Sequence, residues 1–198
     1  FQSRKNYLED QHEILSAEQR ELPRIYIEHD PPRHAPEDAP TNTKHVVDDP
    51  NVLLVHVTHF NNVMWDNNRT PTRVIDHGVA VGEDLRYTGE LERGIVVVNG
   101  LRKRGRRLGL DVFQYLRQRV PLDLAGMESG ELGGFGPLPL RDLWALEAKY
   151  RFFFNPIRYT SMGLAVCEAM MLGMPIIGLA TTERATAGIR GLNGYVDT

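Results

Sequence analysis

The chain has 198 residues, 41% hydrophobic and 25% charged, with a formal net charge of −3. This composition is ordinary for a globular protein, gives no sign of disorder and suffices for one large domain or parts of two, while the slightly acidic balance offers no broad attraction to nucleic acid or an anionic membrane. A single cysteine, Cys167, excludes an internal disulfide framework and fits a reducing compartment, so cytoplasm is the expected location.

The opening stretch FQSRKNYLEDQHEILSAEQREL is charged and lacks the apolar core of a signal peptide. Leu8, Ile14 and Leu15 stand among its charges as on a solvated helix. RIYIEHD alternates Ile25 and Ile27 with polar residues and stops at Pro31 and Pro32, predicting a short strand that ends in a rigid turn. PPRHAPEDAPTNTKH, with four prolines and no periodicity, is a loop. NVLLVHVT is a β-branched run of the kind a parallel sheet covers on both faces. HFNNVMWD begins a helix, and DNNRTPT reads as a hinge or linker.

From Arg73 the rhythm is regular. TRVIDHG and GIVVVNGL are strands, and Leu108, Val112, Leu116 and Val120, spaced by four, predict a helix over 106–120 that Pro121 ends. LDLAGM is a strand, MESGELGGFGP a glycine-rich loop, LRDLWALEAKY a helix and RFFFNP a strand. A helix over 162–172, the strand PIIGLA, a short helix in ERATAGIRG and the strand GYVDT complete the chain. Residues 163–180 are apolar apart from Glu168, but Gly173 and Pro175 divide them into helix and buried strand, not a membrane span. Strands separated by helices imply right-handed crossovers and a parallel sheet. The expected fold class is therefore α/β, a Rossmann-like parallel sheet with flanking helices.

Ligands of such sheets bind beyond the carboxyl ends of the strands, and two loops there carry unusual chemistry. In NGLRKRGRR, five of the six residues from Arg102 to Arg107 are basic. Such a run is equally a solvated face, yet a turn at Gly100 followed by Arg102, Arg104 and Arg107 can hold a diphosphate. Without interleaved aromatics it lends little support to nucleic acid. In RFFFNPIRYTSMG, Thr160 or Ser161 can cap a helix that starts near Met162, and the free N–H groups of Met162, Gly163 and Leu164 would favour a phosphate. The alternative is a cap and nothing more. Glu168 follows Ser161 by seven residues, about two turns, so both side chains are expected on one face roughly 10 Å apart, the carboxylate toward the crevice. It can accept hydrogen bonds from a ribose or pair with a buried Arg or Tyr.

Other constellations carry less. His56 and His59 are three apart with no further ligand at zinc spacing. Cys167 reads as a packed small hydrophobe, Phe152, Phe153 and Phe154 as core, and Met162, Met170, Met171 and Met174 as filling between helix and sheet. No Asp-x-Asp pair occurs to hold a divalent ion on a diphosphate, so no metal is expected.

Taken in order, Asn155-Pro156 through Glu168-Ala169-Met170, then Gly173-Met174-Pro175-Ile176-Ile177, then Gly191-Leu192-Asn193-Gly194-Tyr195-Val196 resemble the carboxyl-terminal domain of retaining glycosyltransferases of the two-Rossmann-domain (GT-B) type, family 4 and its relatives. The likeness spans about 73–198. It implies an incomplete nucleotide-sugar-binding domain over 73–198, opened by VIDHGV with His77-Gly78 where Asn-Gly is usual. It also implies that 1–72 are the last part of an acceptor domain plus linker, so that the chain reads as truncated at both ends.

The implied activity is transfer of a sugar from a nucleotide-diphosphate donor to an acceptor hydroxyl with retention, independent of metal and of any cofactor besides the donor. Implied partners are the nucleotide sugar and a carbohydrate or other hydroxyl acceptor, with an oligomer or another chain supplying the missing segments. Gly100, Arg102, Arg104 and Arg107 would lie near the phosphates with the amides of Met162 and Gly163, Thr160 and Ser161 at the same turn, and Glu168 on the ribose. Arg104, Glu168 and His29, the last in the EHDPP turn, are the candidate catalytic set; His29 is equally a turn residue bonding the backbone. The family carries a Glu, seven residues and a second Glu, and here the first position is Thr160, whose hydroxyl can hydrogen-bond a sugar but supplies no charge. Two further readings share the pocket: a nucleotide-binding module without turnover, and a sugar-nucleotide epimerase or phosphorylase.

Overall fold

The computed structural model describes residues 1–32, 43–181 and, as backbone, 194–197. These fall into two compact units, Phe1–His77 and Gly78–Thr198.

In the first unit the expected amino-terminal helix is broken. A π turn, Asn6–Asp10, runs into α1 (Gln11–Ile14), Leu15 becomes extended, and α2 (Ala17–Arg20) starts afresh. The cause is local: Ser16 and Gln19 form a reciprocal capping box, each side chain accepting the other's backbone N–H. β1 (Arg24–Glu28), β2 (Val52–His56) and β3 (Thr72–Val74) form a parallel sheet in that order. α3 (His59–Met64) follows β2, its amino end capped by the Thr58 hydroxyl, which accepts from the Asn61 N–H at 3.1 Å.

Two expectations are corrected here. DNNRTPT is no hinge but a bonded loop. Asn68, at φ 52°, donates to the carbonyls of His45 and Val47, and the buried Thr70 hydroxyl bridges the Val47 carbonyl and the Asp49 N–H. Arg73 and Val74 pair with Val55 and His56, so the start of VIDHGV closes the first sheet instead of opening the second.

In the second unit, β4 (Leu91–Val97), β5 (Leu122–Ala125), β6 (Tyr150–Asn155), β7 (Ile176–Leu179) and β8 (Gly194–Asp197) make one parallel sheet in the order β5-β4-β6-β7-β8. Side chains alternate between two cores, as the pleat demands. Val96, Leu122, Leu124 and Phe154 pack with α4 (Leu101–Arg104), a 3-10 turn (Gly105–Leu108) and α5 (Leu110–Leu116). Ile95, Ala125 and Phe153 pack with α6 (Leu140–Glu147) and α7 (Leu164–Leu172). Both Phe153 and Phe154 are buried, each worth about 1.5–3 kcal/mol of apolar transfer.

The single helix expected over 106–120 is instead this broken series, ending at Leu116. Gly109 interrupts it at φ 81°, in a space where an added Cβ would lie 2.1 Å from the Pro156 carbonyl oxygen. Only glycine satisfies both demands. The short helix expected in ERATAGIRG and the residues Gly191 to Asn193 of the last motif lie outside the described residues.

Candidate functional site at the carboxyl ends of the second sheet

Counted within its own unit, the strand order is 2-1-3-4-5, and the direction of winding reverses between β4 and β6. Such a switch point opens a crevice beyond the strand ends, because the connections leave toward opposite sides. The loop after β4 is NGLRKRG and the loop after β6 is NPIRYTSMG, the two stretches whose chemistry stood out in the sequence.

Three contacts join these loops. Gly109 packs on Pro156. The N–H groups of Arg158 and Tyr159 donate to the Arg107 carbonyl at 3.0 and 3.4 Å. The Arg158 guanidinium forks onto Asp111, Nη1 to Oδ1 at 2.6 Å and Nη2 to Oδ2 at 2.9 Å. That fork holds the Asp111 carboxyl below the usual carboxylate range, against the opposing effect of burial.

On the β4 side, Gly100 adopts the left-handed conformation at the amino end of α4, and its N–H donates to the Met127 carbonyl at 2.8 Å. The basic residues then divide. Arg102 is exposed and reaches Glu131 at 3.7 Å, and Arg106 is bonded to Asp111 at 2.5 Å. Arg104 is half-buried, with its Cδ 3.6 Å from where a Cβ on Gly100 would be. Arg107 is half-buried near Tyr159, opposing the upward push that burial gives the Tyr159 hydroxyl. Of the basic residues from Arg102 to Arg107, Arg104 and Arg107 are thus the less exposed ones.

On the β6 side the helix starts later than expected. α7 begins at Leu164 with Gly163, which has no side chain to cap with, as its N-cap. Ser161 is buried and Thr160 half-buried, neither stands at the N-cap position, and Met162 packs toward the core. The reason is Gly163 itself, at φ 81°, which turns the chain just before the first helical residue. Among the described residues nothing lies within 4 Å of where a Cβ on Gly163 would be, and the first amides of the helix are those of Leu164 and Ala165, not Met162.

Because Ser161 lies outside the helix, the two-turn alignment of Ser161 with Glu168 does not hold. Glu168 is buried, 9% exposed, and no arginine pairs with it among the described residues. Its charge acts instead on Glu147 of α6. Burial, then Glu168, push the Glu147 carboxyl up to about 8, and neither Glu147 oxygen has a hydrogen-bond partner among the described residues. Glu147 therefore keeps its proton at neutral pH. The sequence held a signal for it: Glu147 follows Leu143 by four and Trp144 by three, on the stripe of α6 that faces the core. Asp111 and Arg158 were missed as well, and no local pattern pairs them.

His29 belongs to the first unit. It is half-buried just past β1, stacked on His77 with centroids 5.4 Å apart and rings 17° from parallel. Burial first, and His29 second, lower the His77 pKa. His56 is fully buried, with Nε2 2.8 Å from Asn67 Oδ1, which removes it from any pairing with His59. Among the described residues no three His, Cys, Asp or Glu side chains are grouped to hold a metal, and no helix is long and apolar enough to cross a membrane.

No family model matches the chain, and no curated protein matches it in sequence. Solved structures do match in fold. The pneumococcal O-GlcNAc transferase GtfA, crystallised with UDP and GlcNAc, aligns over 87% of this chain with a TM-score of 0.58 at 14% identity. TarM aligns over 87% with a TM-score of 0.55 at 11% identity. The chain spans about 40% of the length of each. Its parallel α/β architecture is thus the fold of part of these GT-B glycosyltransferases.

Proposed function

We propose that residues 78–198 are the donor-binding half of a retaining glycosyltransferase that uses a nucleoside-diphosphate sugar, and that residues 1–77 contribute to its acceptor side. The observation that carries the reading is the switch point between β4 and β6, where a basic loop and the glycine-led amino end of α7 stand side by side. The fold shared with a transferase that binds UDP and GlcNAc supports it.

In this reading Arg104 and Arg107 face the diphosphate with the amides of Leu164 and Ala165. The bond between the anomeric carbon and the diphosphate oxygen breaks, and preorganised donors stabilise the charge that develops on the leaving oxygen. The acceptor oxygen bonds to the anomeric carbon from the face the diphosphate left, and its proton passes to the departing phosphate. Glu168 accepts from the ribose hydroxyls, and Thr160 hydrogen-bonds the transferred sugar without adding charge. No residue here is assigned to a metal.

The test is a calorimetric panel of nucleoside diphosphates, UDP first, against the chain and against Glu168→Gln. The substitution is expected to weaken binding by about 1–3 kcal/mol, the cost of losing a charged hydrogen-bond partner. Equal affinities would remove the ribose role. A nucleotide-binding module without turnover is the second reading, favoured by Thr160 standing where a carboxylate is expected. It predicts UDP binding with no release of sugar from UDP-GlcNAc or another donor.

A further inference from the structure

The segment that would receive the diphosphate is braced from outside as well as by its own backbone bonds. Arg158, from the opposite loop, donates through Nη1 to the Arg106 carbonyl at 2.8 Å, and its backbone N–H reaches the Arg107 carbonyl at 3.0 Å. Both peptides flanking the Arg107 side chain's origin are therefore tied to one residue. Arg158 is in turn held by both oxygens of Asp111, the second residue of α5, and Arg106 bonds the same carboxylate. Asp111 is 42% exposed and Arg106 77%, so the Arg106 pair adds little net stability. What a planar fork on one carboxylate fixes is direction.

We propose that Asp111 is a positioning residue for the diphosphate site, acting through Arg158 to set where the 104–107 segment presents its guanidinium groups. The inference rests on the donor reading above and adds the residue that organises its phosphate end. It makes a prediction opposite in sign to simple electrostatics. An acid beside a phosphate site repels phosphate, so charge alone would have its removal tighten binding. If Asp111 positions the loop, its removal loosens binding, because misplaced donors lose their contacts.

The experiment measures UDP and UMP affinity by calorimetry for the full chain, Asp111→Asn and Asp111→Glu, with far-UV circular dichroism and thermal midpoint as checks of folding. Asp111→Asn is expected to fold and to bind UDP about tenfold or more weakly, since small displacements at such sites carry effects of that size. UMP, which lacks the second phosphate, should lose much less, and Asp111→Glu should recover part of the UDP affinity. Unchanged or tighter UDP binding by Asp111→Asn overturns the inference, as does an equal loss for UDP and UMP. Failure of the unsubstituted chain to bind any nucleoside diphosphate overturns the donor reading, and the inference with it. If Asp111→Asn does not fold, Asp111→Glu decides alone: a UDP loss larger than its UMP loss supports the inference, and no difference sinks it.

Discussion

Glu147 is a carboxyl where a charge is least tolerated: fully buried, without a partner for either oxygen among the described residues, and beside a second acid, Glu168. The folded state holds its proton to about pH 8, whereas an unfolded chain releases it near 4.5. Between those values the folded state binds more protons, so its stability is fully present below pH 4.5 and is lost as pH rises through 8. At ~1.4 kcal/mol per unit this amounts to a few kcal/mol. Urea midpoints taken from pH 5 to 8.5 should fall for the native chain and stay level for Glu147→Gln at this site. A native profile as flat as that of the variant would mean the acid is solvated. The same residue explains why one sequence feature stood out for an incomplete reason. Glu168 looked anomalous in an apolar stretch, and it is, but its neighbour is an acid that stays neutral, not a buried arginine.

At the scale of elements, glycine positions decide where helices start and stop. Gly109 and Gly133 share the left-handed conformation, at φ 81° and 72°. They differ in surroundings: a Cβ at Gly109 meets Pro156 at 2.1 Å, while at Gly133 the nearest atom is the end of the Arg117 side chain at 3.9 Å. Gly133→Ala should therefore cost about 1–2 kcal/mol, the conformational term alone. Gly109→Ala should cost roughly 2–5 kcal/mol, because overpacking adds to it. Chemical denaturation of the two variants measures the difference, and equal losses would show that the loops after β4 and β6 are not closely packed. Helix periodicity over 106–120 was legible, with Leu108, Val112 and Leu116 all facing the sheet core. The break was not, since the reason for it is an atom of Pro156, distant in sequence. Likewise the late start of α7 follows from Gly163, a residue the sequence placed inside the helix.

At the scale of the molecule, each unit has its own core, Tyr26, Val47, Val52 and Leu54 in the first and the two faces of the five-stranded sheet in the second. A ligand that binds a folded unit stabilises that unit by mass action, about 2.7 kcal/mol at a hundredfold excess over Kd. Saturating UDP should therefore raise the thermal transition that reports on 78–198. Following it needs a local probe: Trp144 lies in the second unit and Trp65 in the first, so single-tryptophan variants separate the two. A shift confined to the Trp65 signal would move the nucleotide site to the other unit.

The sequence by itself determined that the chain is α/β with parallel strands, and that one loop at a strand end is dense in basic residues while another runs through Thr160, Ser161 and Gly163 into a helix. Those features rest on periodicity and turn residues read within ten or fifteen positions. Only the tertiary structure decided that β4 lies beside β6, that the third strand belongs to the first sheet, and that Asp111 meets Arg158 across 47 positions and Glu147 meets Glu168. Local pattern specifies which face of each element is apolar. Which elements become neighbours depends on how all those faces are buried at once, and the partner of a polar side chain is known only when that packing is.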